Sequence, residues 1–193
     1  RVGVVTMLPL ADAQAAGNPI QGVILGVGAS NDGNPPGKES FVAPSPEGQI
    51  AAIEAALREA AISPETLGYV EAHGTGTKVG DAVEVSALRE IYGEAARPWC
   101  ALGSVKSQIG HTKAAAGAAG LIKAALALHH KVIPPTIKVS KPLDEVSSGS
   151  TRIVTRRSRR SSITRVDISA GIAQAWAESI GTNALPGSPT LPI

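Results

Sequence analysis

A chain of 193 residues, 43% hydrophobic but only 3% aromatic, can bury a core, and that core must be built from Ala, Val, Ile and Leu. The net charge of +2 implies no obligate acidic partner, and the single Cys100 excludes an internal disulfide and fits a reducing compartment such as the cytoplasm. No apolar run is long enough to span a membrane and no secretory leader opens the chain, while its start within an apolar segment suggests a piece of something longer.

Residues 2–8 are apolar and β-branched, which predicts a buried strand. Residues 9–16 read as a short helix stopped by Gly17-Asn18-Pro19, and residues 20–27 as a second strand. The Gly-, Pro- and Asn-rich stretch 31–46 reads as a surface loop. Residues 46–62 form the clearest amphipathic helix, with Ile50, Ile53, Ala56, Leu57 and Ala60 at three- and four-residue steps. A short strand over 67–72 runs into a glycine-rich loop. Residues 81–92 follow as a helix, with Asp81 placed as its N-cap. Another brief strand covers 100–103, and 114–130 reads as a helix buried on most faces. Strands alternating with helices predict an α/β layered fold.

The rhythm changes after about Lys141. Residues 151–165 hold Arg152, Arg156, Arg157, Arg159, Arg160 and Arg165 among serines and threonines, and the tail from Leu185 is rich in Pro and Gly. The arginines invite a nucleic-acid reading, but no aromatics interleave them and no recognisable module surrounds them, so no nucleic-acid partner is expected.

Two loops carry the chemistry. Glu71-Ala72-His73-Gly74-Thr75-Gly76-Thr77 is followed by Gly80-Asp81, and the second runs Gly103-Ser104-Val105-Lys106-Ser107-Gln108-Ile109-Gly110-His111-Thr112. Each follows a predicted strand and precedes a helix, so each belongs at the carboxyl edge of a sheet, where α/β proteins place their sites. Each offers one imidazole beside glycines that let a ligand approach the backbone. Alone, either His reads as a hydrogen-bonded turn residue. Together, with Lys106 five residues before His111, they suggest neutral imidazoles kept so by a nearby ammonium and able to donate to a developing oxyanion. No HxxxH or paired carboxylate supports a metal site, and no phosphate-loop pattern fits. His129-His130 suits the C-terminal dipole of its helix.

These two loops, with Ala114-Ala115-Ala116-Gly117-Ala118-Ala119-Gly120 after them, resemble the signatures of the β-ketoacyl synthases in order and spacing. The likeness continues through 121–136 and includes Leu10-Ala11-Asp12-Ala13-Gln14 and Gly26-Val27-Gly28-Ala29-Ser30-Asn31-Asp32-Gly33 upstream, covering roughly residues 1–143. Residues 43–49 and 106–117 look most similar to large multidomain synthases, such as those making polyketides, polyunsaturated fatty acids or bacterial glycolipid chains. The resemblance implies a thiolase-like fold, here the C-terminal half of a duplicated α/β/α/β/α architecture, and a decarboxylative Claisen condensation of acyl and malonyl thioesters.

By motif position, His73 and His111 would be the oxyanion-stabilising histidines and Lys106 their supporting lysine. Thr75 and Thr77 match positions that contact a phosphopantetheine arm, and Asp81 matches a buried acid of the same network. The resemblance further implies an acyl carrier protein bearing that phosphopantetheine, the N-terminal half of the ketosynthase domain as partner, a homodimer in the parent, and no directly bound cofactor.

The family's nucleophilic cysteine lies in an N-terminal motif absent here. Cys100 follows Pro98-Trp99 and reads as a small buried hydrophobe, so the isolated chain is expected to be inactive. A non-catalytic structural or dimerisation remnant is the alternative. A thiolase is a third reading, set aside because Thr112 follows His111 where thiolases carry a Gly-His-Pro loop. The family's closing glycine-rich loop survives only in fragments. Residues 144–193 therefore form a divergent tail expected to lack regular packing, and residues 151–157 can be encoded so that a shifted frame reads Y-x-N-T-E, the text the family has there. A disturbed reading frame after about Ser150 would account for this.

Overall fold

The computed structural model describes residues 2–31, 44–94, 98–147, 151–153, 158–159, 165–170 and 173–178. Its helices are α1 (Leu10–Ala15), α2 (Pro46–Ala60), α3 (Lys78–Tyr92), α4 (Lys106–Ile109), α5 (Ala116–His130) and α6 (Asp144–Ser147). Its strands are β1 (Val23–Ala29), β2 (Tyr69–Glu71), β3 (Cys100–Gly103), β4 (Val132–Ile133), β5 (Thr151–Ile153), β6 (Ser158–Arg159), β7 (Arg165–Ala170) and β8 (Ala173–Glu178). The main sheet runs β1-β8-β7-β2-β3-β5; β7, β2, β3 and β5 are parallel, and β8 and β1 add antiparallel pairings. Strands β4 and β6 form a separate antiparallel pair.

Alternation along the central strands splits the core into two layers. Val70 of β2 with the adjoining Ala72, and Cys100 and Leu102 of β3, pack with Ile53, Ala56 and Leu57 of α2 and Val85, Leu88 and Tyr92 of α3. Tyr69 and Ala101 face the other way, onto Ala124 and Leu128 of α5 and onto Ile133. Helices on both faces of one sheet give the expected α/β layers. Cys100 is 1% exposed in the first layer, as its apolar context predicted.

The small residues in this core set how near the layers come. Helix α2, capped by the Ser45 hydroxyl accepting from the Gly48 amide at 3.2 Å, presents Ala52, Ala56 and Ala60 four residues apart. Gly26 and Gly28 of β1 lie against that stripe. A Cβ at Gly28 would sit 1.8 Å from the Ala52 carbonyl oxygen, and one at Gly26 would sit 2.4 Å from that of Ala56.

Three expectations need correction. Residues 2–8 form no strand, and Val2 is 90% exposed. This segment lies along α5, with a Cβ on Gly3 meeting Ala118 Cβ at 2.8 Å; a helix has already spent its backbone donors and acceptors and offers no edge to pair with. Second, Asp81 is not the N-cap of α3. The helix starts one turn earlier, and the Thr77 hydroxyl caps it by accepting from the Gly80 amide at 3.2 Å.

Third, the segment beyond Ser150 contributes backbone to the sheets, contrary to the expected lack of regular packing. Strand β7 lies between β2 and β8 and pairs with β8 from Arg165↔Glu178 to Ala170↔Ala173. The sequence reason is the alternation of Val166, Ile168 and Ala170 with Arg165, Asp167 and Ser169, a period-2 pattern overshadowed by the arginines before it. Strands hydrogen-bonded into the central sheet count against a disturbed reading frame. The expected loop over 31–46 falls largely, and the Pro-rich tail wholly, outside the described residues.

The contact between β1 and α2 should be intolerant of a single methyl group. Gly28→Ala is expected to lower the unfolding free energy by about 2–3 kcal/mol, because the Ala52 carbonyl belongs to a helix backbone that cannot yield locally. Urea denaturation followed by circular dichroism checks this; an unchanged midpoint would show that strand and helix can separate without loss.

Candidate functional site

The parallel pairing of β2 with β3, in register Tyr69↔Ala101 to Glu71↔Gly103, delivers both glycine-rich loops to one edge of the sheet. The Ala72 amide continues the ladder by donating to the Gly103 carbonyl at 2.7 Å. Beyond it, Gly74 takes a φ of +46° and packs on Ser104. A Cβ there would be 2.8 Å from Ser104 Cβ, so only glycine combines that backbone with that approach. The Ser104 hydroxyl donates to the His73 carbonyl at 3.3 Å and accepts from the Lys106 amide at 3.3 Å, stitching one loop to the other.

His73, Lys106 and His111 converge at this seam. The Lys106 ammonium lies 3.3 Å from His73 Nδ1, and the two imidazoles meet edge to face with centroids 5.3 Å apart at 82°. An ammonium has no lone pair, so His73 Nδ1 must accept, which puts the ring proton on Nε2. His111 reaches the same tautomer differently: its Nδ1 accepts from the backbone amide of Lys113 at 3.0 Å. Both rings thus have Nδ1 occupied and Nε2 protonated.

Electrostatics keep the rings neutral. Half-burial, then the Lys106 charge, then His111 pull the His73 pKa from 6.5 down to about 4, with Asp81 opposing weakly. His111 is exposed, and its pKa is lowered by residual desolvation and by the charges of Lys106 and Lys113. Burial also lowers the pKa of Lys106, against the attraction of Glu84 and Glu71, which favours its charged form.

Asp81, half-buried, closes the first loop. Its Oδ1 accepts from the Gly76 amide at 3.1 Å and lies 3.5 Å from the Thr75 hydroxyl. Thr75 and Thr77 are exposed, with hydroxyls 3.1 Å apart. Both line a cavity of about 480 Å³ shared with Asp81, Lys106 and His111. Among the described residues, no cluster of three His, Cys, Asp or Glu side chains is arranged to hold a metal ion.

Reasoning from sequence missed Glu84 and Glu71. Glu84, buried on α3, accepts from the His73 amide at 2.6 Å and the Gly74 amide at 2.8 Å, fixing the backbone that carries the first imidazole. Its signal was an acid on the apolar face of α3, next to Val85 and four residues before Leu88. Glu71 accepts from the Val105 amide at 2.5 Å and from the Tyr69 hydroxyl, and is ion-paired to Lys123 of α5 at 2.7 Å.

The family model for the β-ketoacyl synthase C-terminal domain matches residues 21–140. The polyketide synthase PksN of Bacillus subtilis (strain 168) is 39% identical over 182 residues, covering 93% of this chain and 3% of that protein. The mycocerosic acid synthase-like polyketide synthase of Mycolicibacterium smegmatis is 44% identical over 144 residues, covering 75% of this chain and 7% of its own length. Among solved structures, the ketosynthase from module 1 of the bacillaene synthase from Bacillus amyloliquefaciens FZB42 superposes with a TM-score of 0.82. It is 35% identical, and the match covers 89% of this chain and 34% of that one. The chain therefore spans a small part of the curated relatives and about a third of the solved ketosynthase.

The His73 environment yields a titration prediction. Its imidazole should remain neutral at pH 5 and protonate with a midpoint near 4, read from its ring resonances by NMR. The unfolded chain takes up this proton near 6.5 and the folded chain not until about 4, so His73 makes stability fall as pH drops through that window. A His73 midpoint near 6.5 would mean that the ring is neither half-buried nor faced by Lys106.

Proposed function

The chain belongs to the family of the β-ketoacyl synthase C-terminal domain, and we propose on that premise that it supplies the decarboxylation half of a condensing site. The observation that carries the reading is the shared tautomer of the two imidazoles, each with Nδ1 engaged and an Nε2–H donor left for a substrate oxygen. In this mechanism a malonyl group arrives as a thioester on the phosphopantetheine of an acyl carrier protein, its arm passing Thr75 and Thr77 at the cavity mouth. The bond between C2 and the carboxylate breaks, carbon dioxide leaves, and the electron pair moves to the thioester oxygen as an enolate. His73 and His111 donate to that oxygen, and Lys106 holds the His73 tautomer. The enolate carbon then attacks an acyl thioester carried on a cysteine elsewhere in the synthase. The new carbon–carbon bond forms and the cysteine leaves as thiolate.

Asp81 and Glu84 act on the backbone of the first loop rather than on substrate. On this reading residues 1–143 carry the family's chemistry, and 144–193 are a divergent closing segment. The partner we assign is the N-terminal half of the ketosynthase domain. Support comes from the apolar side chains the chain leaves in solvent, Val4, Met7, Leu8 and Leu126 among them, and from its one-third coverage of the solved ketosynthase. A homodimer of the parent and a reducing compartment such as the cytoplasm belong to the same proposal. Among the described residues, no helix is long and apolar enough to cross a membrane.

The chain alone should not condense acyl and malonyl thioesters. Its only thiol, Cys100, is 1% exposed in β3, where it cannot reach an acyl thioester. Decarboxylation should also stay at background, because positioning of malonyl needs a complete pocket wall and its loss costs orders of magnitude in rate.

The test incubates the chain with malonyl-carrier protein and an acyl thioester, following carbon dioxide and ketoacyl product separately. Product that vanishes on Cys100→Ala would overturn the inactivity prediction. Appending an N-terminal ketosynthase half should restore condensation, and His111→Ala should then cut carbon dioxide release by about 10²–10³-fold. If the assembled domain shows no such activity, the alternative of a non-catalytic remnant stands.

A further inference from the structure

Among the described residues, two buried charged side chains are left unused by this mechanism, Glu71 and Lys123. Glu71 is 1% exposed at the end of β2, and Lys123 is 6% exposed in the middle of α5. The ammonium lies 2.7 Å from Glu71 Oε2 but is poorly aligned for a directed hydrogen bond, and it stands 5.5 Å above the Tyr69 ring. Oε2 also accepts from the Tyr69 hydroxyl, while Oε1 accepts from the Val105 amide at 2.5 Å. The carboxylate thus joins three elements: its own strand two residues before His73, the second loop one residue before Lys106, and helix α5.

We propose that Glu71 is a positioning residue: its carboxylate, anchored by Lys123, grips the Val105 amide and so fixes the Lys106–His111 loop against His73. Two features favour this over a purely structural ion pair. The Val105 amide lies at the start of α4, a single turn too short to hold its own place, and N-cap Val105 has no side chain with which to cap it. The second feature is symmetry of function: Glu84 holds the amides of His73 and Gly74 from α3, and Glu71 holds the other loop from beneath. Each loop is held by one buried carboxylate, and the two loops meet at the imidazoles. The inference deepens the reading of the same site and rests on it for its functional meaning. Its test reads geometry without substrate, so the two can fail separately.

The experiment compares two variants of the chain that both lack the buried charges. Tyr69→Phe/Glu71→Gln/Lys123→Met keeps a carbonyl acceptor for Val105, whereas Tyr69→Phe/Glu71→Leu/Lys123→Met removes it; neither leaves an uncompensated charge or an orphaned Tyr69 hydroxyl. Hydrogen exchange at the Val105 amide and the NMR titration of His73 are read in both. His73 is faced by Lys106, His111 and Asp81, with Glu84 on its backbone, and all are present in both variants.

With the acceptor kept, exchange should stay near the parent rate and the His73 midpoint near 4. Without it, exchange should rise by about tenfold or more, and the midpoint should rise above 4 as Lys106 withdraws and the loop that helps bury the ring loosens. Equal behaviour of the two variants would overturn the proposal. If either fails to fold, Glu71→Asp decides: it keeps the charge for Lys123 but is one methylene too short for Val105. It should show the same fast exchange and raised midpoint, and parent-like values would overturn the proposal.

Discussion

Everything at the site depends on β2 and β3 lying parallel and in register, so that two glycine-rich loops leave adjacent strands at the same edge. Parallel strands bring equivalent ends together, and the Ala72 amide bonding to Gly103 carries the pairing one step past β2. From there the backbones must diverge into α3 and α4 without losing contact. Gly74 permits the approach, and the Ser104 hydroxyl bridges what the ladder no longer can. A side chain at residue 74 would wedge the loops apart, and the geometry of His73, Lys106 and His111 would go with them.

Where the ladder ends, buried carboxylates take over its work. Glu84 accepts two amides of the first loop and Glu71 one of the second, so backbone donors that no strand can satisfy are matched within the core. Two buried carboxylates need compensation. Lys106 supplies it on the site face and Lys123 on the α5 face. The same charges set the state of the imidazoles. Lys106 is near enough to both acids to favour its protonated form despite burial, and that charge suppresses protonation of His73. Removing either acid would loosen a loop and weaken the charge that keeps an imidazole neutral.

Much of this was legible in the sequence, for reasons that differ by element. Helices α2 and α5 announced themselves by periodicity and by an unbroken apolar run, and the two histidine loops by glycine-rich text between a strand and a helix. The strand expected over 2–8 failed because β-branched composition says a segment could pair, not that an edge is available. The placement of Asp81 as N-cap failed because Thr77, four residues earlier, is an equally good cap and the helix gains a turn by using it. The strands past residue 150 were hidden by arginines that drew attention from the alternation at 165–170. Glu71 and Lys123 left the subtlest trace. Each is a lone charge in a segment otherwise read as buried, and two opposite charges in that position predict each other, since neither is tolerable alone.

The two histidines, alike in tautomer, differ in environment, and the difference bears on what an added surface would do. His73 is half-buried between α3 and the second loop, and its low pKa comes first from desolvation. His111 has the same neighbour in Lys106 but stands in solvent, so water screens the charge and supplies competing hydrogen bonds. An apolar wall laid over His111 would remove that water. Desolvation and the Lys106 charge would then act together, pushing its pKa further down in the direction His73 already takes. Nε2–H donors shielded from water are worth more to a developing oxyanion than the same donors in bulk solvent. The chain thus holds the first imidazole neutral by its own packing, whereas the second has its proton placed by the Lys113 amide and stands open to a cover that would depress its pKa further.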